Sequence, residues 1–285
     1  MRLSGIDVSG ARLSFREEGA GRPVILVHGT AATGDQWQSL SAHLAPRYRV
    51  VVPDLPGNGG SGLPMTGAGS GLQIHVDAIR ALITHCGEPV HLVGHSFGAA
   101  VALSAAVAQP QAVASLTVIE PAAFHLLGQS GYGDWRLYGE VRSLVGVIGA
   151  AAACDAPEAG VARFVDFWNG SGAWHRLREE RKAALTLRIG GILADFASAF
   201  GETWAQGTLG RLHCPTLALM GMTSPQAGRR ITQLVADAMP NAQLHMVIGA
   251  GHMLPLTHPE IVDPIVTGHL ITAEARMPRT VGVAA

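Results

Sequence analysis

Cysteine is scarce in this sequence: three in 285 residues, Cys86, Cys154 and Cys214, with no Cys-x-x-Cys pair. An odd count cannot pair completely within one chain, so a disulfide framework is excluded and three reduced, mostly buried thiols are expected. Charge is scarce as well. Twenty Lys and Arg against 21 Asp and Glu make 14% of the residues and leave a formal net charge of −1. That removes the basic footprint of a nucleic-acid binder and the acidic tail of a solvating segment. Long apolar runs are missing: the most apolar stretch, 145–154, is ten residues with two glycines, too short to span a bilayer. The amino-terminal residues carry no apolar stretch between a basic start and a small-residue cleavage site, so no signal peptide is expected, and the expected location is the cytoplasm. Aromatics make only 5% of the chain.

What is present is a large apolar fraction, 48%, and 36 glycines. Disorder is thereby excluded, and at this length roughly three-quarters of the unfolded surface can be buried. Residues 3–8 and 12–17 alternate with period two around Ser9-Gly10 and predict a hairpin. Short apolar runs follow at 24–27, 50–52, 90–93, 116–119, 216–220 and 244–248. Helix-compatible spacing fills 35–44, 72–85, 97–108 and 228–239. Short all-apolar strands alternating with helices predict a doubly wound, mostly parallel α/β sheet.

From 121 to 205 no strand is predicted. Eleven of the 15 aromatics fall in this interval, among them Phe124, Trp135, Phe167 and Trp168. A helical insert of that length, dense in rings, reads as a cap rather than a loop. The division expected is 1–120 plus 206–272 as the core, 121–205 as the cap, and 273–285 as a flexible tail. Most of the rings form the insert's own core; Phe124, Trp135, Phe167 and Trp168 are the candidates to face a pocket.

Chemistry concentrates in three glycine-rich turns. Gly94-His95-Ser96-Phe97-Gly98 sits between a strand and a helix, the context in which G-x-S-x-G marks a nucleophile elbow. The helix start there aims backbone N–H groups at developing negative charge. Val27-His28-Gly29-Thr30 closes another strand, where the backbone N–H of Thr30 can join that of Phe97 as an oxyanion hole; His28 is expected to brace the loop. Gly249-Ala250-Gly251-His252-Met253 follows the last strand and offers His252 as general base. His258 is expected to help start the last helix, and His95 to be a packing residue. No GxxxxGK[ST], GxGxxG or HExxH occurs, and no metal-ligand cluster emerges, so neither cofactor nor metal is called for.

Taken together, His28-Gly29, the turn Asp54-Leu55-Pro56-Gly57-Asn58-Gly59-Gly60-Ser61, Gly94–Gly98 and Gly251-His252 resemble the α/β-hydrolase fold superfamily, its serine-hydrolase branch of esterases and lactonases with a helical cap. The resemblance implies Ser96 as nucleophile, His252 as base, Thr30 and Phe97 as oxyanion donors, and Asp54 as a structural turn residue. The sequence departs from the family's pattern after the run 216–220, where most relatives carry the acid. The text there is Gly221-Met222-Thr223-Ser224-Pro225-Gln226, without a carboxylate. Glu120, at the end of the preceding run, is the replacement expected, since some α/β hydrolases similarly take their acid from this neighbouring strand; Asp195 is a distant second. Pro121 after it also suits a helix start, the structural alternative for Glu120. Ser96 counts against the dehalogenase and epoxide-hydrolase branches, which use aspartate there.

The sequence thus predicts a cofactor-free serine hydrolase acting on a small apolar carboxylic ester or lactone, with an uncharged acyl group under the cap. Alternatives on the same residues are a C–C bond hydrolase and a cofactor-free perhydrolase or haloperoxidase. A third alternative, of a different kind, is a non-catalytic ligand-binding protein on a hydrolase scaffold. The sequence leaves the oligomeric state open.

Overall fold

The computed structural model describes residues 2–64 and 71–276. Eight strands form one sheet: β1 (Arg2–Val8), β2 (Ala11–Glu18), β3 (Pro23–Val27), β4 (Arg49–Pro53), β5 (Val90–His95), β6 (Val113–Ile119), β7 (Thr216–Gly221) and β8 (Ala242–Val247). Their order is β1-β2-β4-β3-β5-β6-β7-β8. The first two make an antiparallel hairpin, β2 pairs antiparallel with β4, and all other pairs are parallel. The predicted turn is there, with Ser9 and Gly10 both at positive φ, the geometry that matches the twist of two-residue hairpins.

The central strands bury both faces. On β3, Ile25 and Val27 belong to one core and Val24 and Leu26 to the other, because successive side chains in a strand point to opposite sides. Helices α1 (Gln38–Leu44), α2 (Leu72–Cys86) and α3 (Phe97–Ala108) lie between the early strands in sequence. The segment 35–44, expected as one helix, is a 3₁₀ turn at Gly34–Trp37 followed by α1.

Between β6 and β7 the described chain has no strand. Instead it forms α4 (His125–Gln129), α5 (Tyr132–Ala153), α6 (Pro157–Asn169), α7 (Glu179–Thr186) and α8 (Ile189–Phe200). Helix α8 packs on α2 and α3. After β7 come α9 (Gln226–Ala238), α10 (Leu254–Thr257) and α11 (Pro259–Ala275). Helix α11 extends three residues past the expected start of the tail, burying Ala273; residues 277–285 of that tail lie outside the described residues.

No single described helix is long and apolar enough to cross a membrane. The cysteines are free, but Cys154 is exposed, at the end of α5, rather than buried as expected. Cys86 is buried, which pushes its thiol up to about 11 and leaves it unreactive.

Chain order places the site. From β3 the chain moves outward to β4, then returns to lay β5 on the opposite side of β3. At such a switch point the loops leaving β3 and β5 diverge and open a crevice at the carboxyl ends of the strands. Gly29 and Ser96 stand at those two ends.

Candidate active site

Ser96 joins β5 to α3 with φ 54° and ψ −119°, a conformation that an L-residue adopts only under constraint. The constraint is visible. Its N–H donates to Ile119 O at 2.9 Å, and its carbonyl accepts from the N–H groups of Ala99 and Ala122, each at 3.0 Å. The flanking glycines follow from packing: a Cβ on Gly94 would lie 2.5 Å from Gly98 O, and one on Gly98 would lie 2.3 Å from the carbonyls of Val27 and His28.

The Ser96 hydroxyl donates to His252 Nε2 at 3.1 Å, and His252 Nδ1 donates to Glu120 Oε2 at 2.7 Å. The structure therefore brings together serine, histidine and glutamate from the ends of β5, β8 and β6. Glu120 is 1% exposed and holds φ 46°, while its N–H donates to Leu219 O at 3.0 Å. Its second oxygen accepts from Gly221 N–H at 2.7 Å and from the Ser224 hydroxyl. The segment that lacks a carboxylate thus supplies two donors to the carboxylate next door. Burial pushes the Glu120 carboxyl up, but bonding to His252, Ser224 and Gly221 outweighs it and holds the group below the ordinary carboxylate range. Asp195 makes no bond to His252; it lies in the cavity wall with Arg188.

His95 does more than pack. Its Nε2 donates to His252 O at 2.8 Å, and its Nδ1 accepts from Gln36 Nε2 at 3.2 Å. The Gly29 N–H donates to Gln36 Oε1 at 3.1 Å, so a buried relay links the loop after β3 to the loop that carries His252. Burial above all pushes His95 down to about 3, with His252 adding to it, which keeps it neutral as the relay requires. Sequence reasoning missed Gln36, which has no motif around it. His28 braces as expected: Nδ1 donates to Gly29 O at 2.8 Å and Nε2 accepts from Leu55 N–H at 2.9 Å. Asp54 likewise ties its turn together, accepting from Gly34 and Gly60 N–H groups. His258 stands at the start of α11.

Above Ser96 lies a cavity of about 850 Å³, lined on the sheet side by Gly29, Thr30, Ser96, Phe97 and His252. Phe97 opens α3, where the first backbone N–H groups have no acceptor within the helix. Phe124 and Trp168 line the cavity with Phe164 and Phe196, and the Trp168 ring sits 4.5 Å from that of His252. Trp135 and Phe167 do not line it. Trp135 is 55% exposed, because the buried stripe of α5 runs through Leu137, Val141, Leu144 and Ile148, two residues or about 200° away. Phe167 stands one position off the buried stripe of α6 and packs edge-on against Trp168.

The wall is not wholly apolar: Arg176, Arg181, Arg188 and Asp195 line it too. Burial pushes the Asp195 carboxyl up to about 7. The folded chain then keeps a proton that the unfolded chain releases near pH 4, so this group withdraws stability as pH rises from about 4 to about 7. Asp195→Asn is expected to remove that loss, on the order of 2–4 kcal/mol at pH 8. Urea midpoints of both proteins at pH 5 and pH 8 check it; equal pH slopes would refute it.

Among the described residues no group of three or more His, Cys, Asp or Glu side chains converges as a metal site would.

With this geometry in place, the chain's relatives can be named. It belongs to the alpha/beta hydrolase fold family, whose profile matches residues 22–259. Among curated proteins it is similar to an (E)-2-((N-methylformamido)methylene)succinate hydrolase of Acinetobacter baylyi, 25% identical over 90% of this chain and 94% of the relative. Among solved structures it resembles a thermophilic esterase of Thermogutta terrifontis, with TM-score 0.73 and 23% identity over 96% and 99% of the two chains. It also resembles an N-acyl homoserine lactone degrading enzyme, with TM-score 0.70 and 20% identity over 93% and 99%. At these identities the two structural likenesses speak for the fold.

Proposed function

We propose that the chain is a serine hydrolase that cleaves a carboxylic ester or lactone through an acyl-enzyme on Ser96. On this reading residues 1–120 and 206–272 form the catalytic core, and 121–205 cap the cavity. The observation that carries it is the unbroken hydrogen-bond path from Ser96 through His252 to Glu120. His252 Nε2 takes the hydroxyl proton as Ser96 Oγ bonds to the acyl carbon. The carbonyl electrons shift to an oxyanion, which the N–H groups of Thr30 and Phe97 receive. The ester C–O bond then breaks, and the leaving oxygen takes the proton from His252. Water repeats the sequence, releasing the acid and restoring Ser96. Glu120 holds the Nδ1–H tautomer and offsets the imidazolium charge.

C–C cleavage and perhydrolysis on the same residues are the alternative chemistries. The binding-protein alternative rests on the missing acid after β7, and the bond between Glu120 and His252 argues against it. A fluorophosphonate probe tests the proposal: folded protein is expected to gain one adduct, mapped to Ser96 by peptide mass spectrometry. A folded sample that stays unlabelled would sink the reading.

A further inference from the structure

The charged side of the cavity carries more positive than negative groups. Its lining contains three arginines, Arg176, Arg181 and Arg188, and two carboxylates, Asp35 and Asp195. Asp35 is engaged by Arg16. Burial lets Asp195 keep its proton up to about pH 7. Elsewhere in the molecule arginines such as Arg49, Arg136 and Arg230 are paired with Glu17, Glu140 and Asp134. No ion pair among the described residues holds Arg176, Arg181 or Arg188. Arg188 Nη1 donates to Ala32 O at 3.2 Å and Asn58 Oδ1 at 2.9 Å, both neutral acceptors. Those bonds fix the guanidinium; Asp195 lies close enough to feel its charge but keeps its proton up to about pH 7, so below that pH it does not offset the charge. Partial burial above all, and the positive charge of Arg188 after it, lower the affinity of Arg181, on α7, for its proton. Arg176 makes one long bond, to Ser171 O at 3.5 Å, and feels the charge of Asp166.

Two guanidinium groups held near one another in a half-enclosed cavity repel, and an anion between them relieves that cost. The planar fork of arginine matches a carboxylate in particular, through paired N–H···O bonds. The cavity of about 850 Å³ has room for a small acyl chain that reaches from Ser96 to this wall.

We infer that the site accepts substrates whose acyl part carries a free carboxylate: a half-ester of a dicarboxylic acid or a comparable anionic lactone or amide. Arg181 and Arg188 pair with that carboxylate, and Arg176 adds attraction at the cavity mouth. This rests on the serine-hydrolase reading and narrows it. The aromatic wall of Phe124, Trp168 and Phe196 encloses the hydrocarbon between the two ends.

The test compares a p-nitrophenyl half-ester of glutarate with the same compound methylated at its free carboxylate. Wild type is expected to favour the anionic ester in kcat/KM by at least about tenfold at low salt, mainly through KM, with the preference shrinking as NaCl is added. In Arg181→Gln/Arg188→Gln the ratio of the two kcat/KM values is expected to fall toward one. Arg188→Lys should restore part of it. A wild-type ratio at or below one, or a ratio unchanged in the double variant, overturns the inference. Calorimetric titration of glutarate into Ser96→Ala protein reads the arginine site without turnover. Binding that weakens about 10- to 100-fold on loss of both arginines supports the site even where phosphonate labelling fails. Absence of binding overturns it even where labelling succeeds.

Discussion

Ser96→Ala is expected to lower ester turnover by about 10⁵- to 10⁶-fold, the scale of removing the nucleophile from a serine-histidine-carboxylate unit. Alanine tolerates the φ of 54° no better and no worse than serine, and every backbone bond at this turn survives the change. Thermal midpoints of the two proteins should therefore agree while p-nitrophenyl ester hydrolysis collapses. Residual turnover within tenfold of wild type would mean that another group carries the reaction.

Glu120→Gln should cost on the order of 10²- to 10⁴-fold in kcat, and the hydrogen bonds say why so isosteric a change is so damaging. Gly221 N–H and the Ser224 hydroxyl both point at Oε1, so a glutamine amide must turn its oxygen toward them. Its NH₂ then faces His252 Nδ1, which has to give up its proton and become the acceptor. The proton moves to Nε2, where it points at Ser96 and blocks proton abstraction. The amide cannot escape by flipping, because two donors hold the oxygen in place. Unchanged kcat in a folded variant would refute Glu120 as the acid. The same bonds give a sign to the pH dependence of stability. A carboxyl held below its ordinary range contributes stability above that range and loses it as pH falls through the folded value.

The central strands were legible because β3 to β7 are buried on both faces, so each contains a short apolar run. At the carboxyl side the run expected at 244–248 is the edge strand β8, Ala242–Val247, and the helix expected at 228–239 is Gln226–Ala238. An edge strand has one exposed side, and His245 and Met246 face solvent within β8, which blurs its apolar signature. Ser96 and His252 were legible because tight turns demand glycine in fixed places. Glu120 was legible through a gap, a carboxylate lacking where β7 ends. Gln36, Ser224 and the three arginines had no such signature. The bonds of Gln36 to His95, Ser224 to Glu120 and Arg188 to Ala32 join residues 59 to 156 positions apart in the chain. Trp135 shows the converse: aromatic content marked the right segment, but which ring faces the cavity depends on helical phase.

The hydroxyl and N–H that hold Glu120 from the end of β7 also bear on how this lineage can drift. Once the charge stands on β6, selection on the neighbouring loop no longer asks for acidity; it asks for donors. Any residue at 224 that keeps a hydroxyl would serve, whereas a carboxylate arriving there would face Glu120 across a single proton and set two negative charges against each other. A chain with carboxylates on both strands is therefore disfavoured by like-charge repulsion. Inspection of position 224 alone would class such a chain as inactive, when on the proposed mechanism it has its acid one strand away.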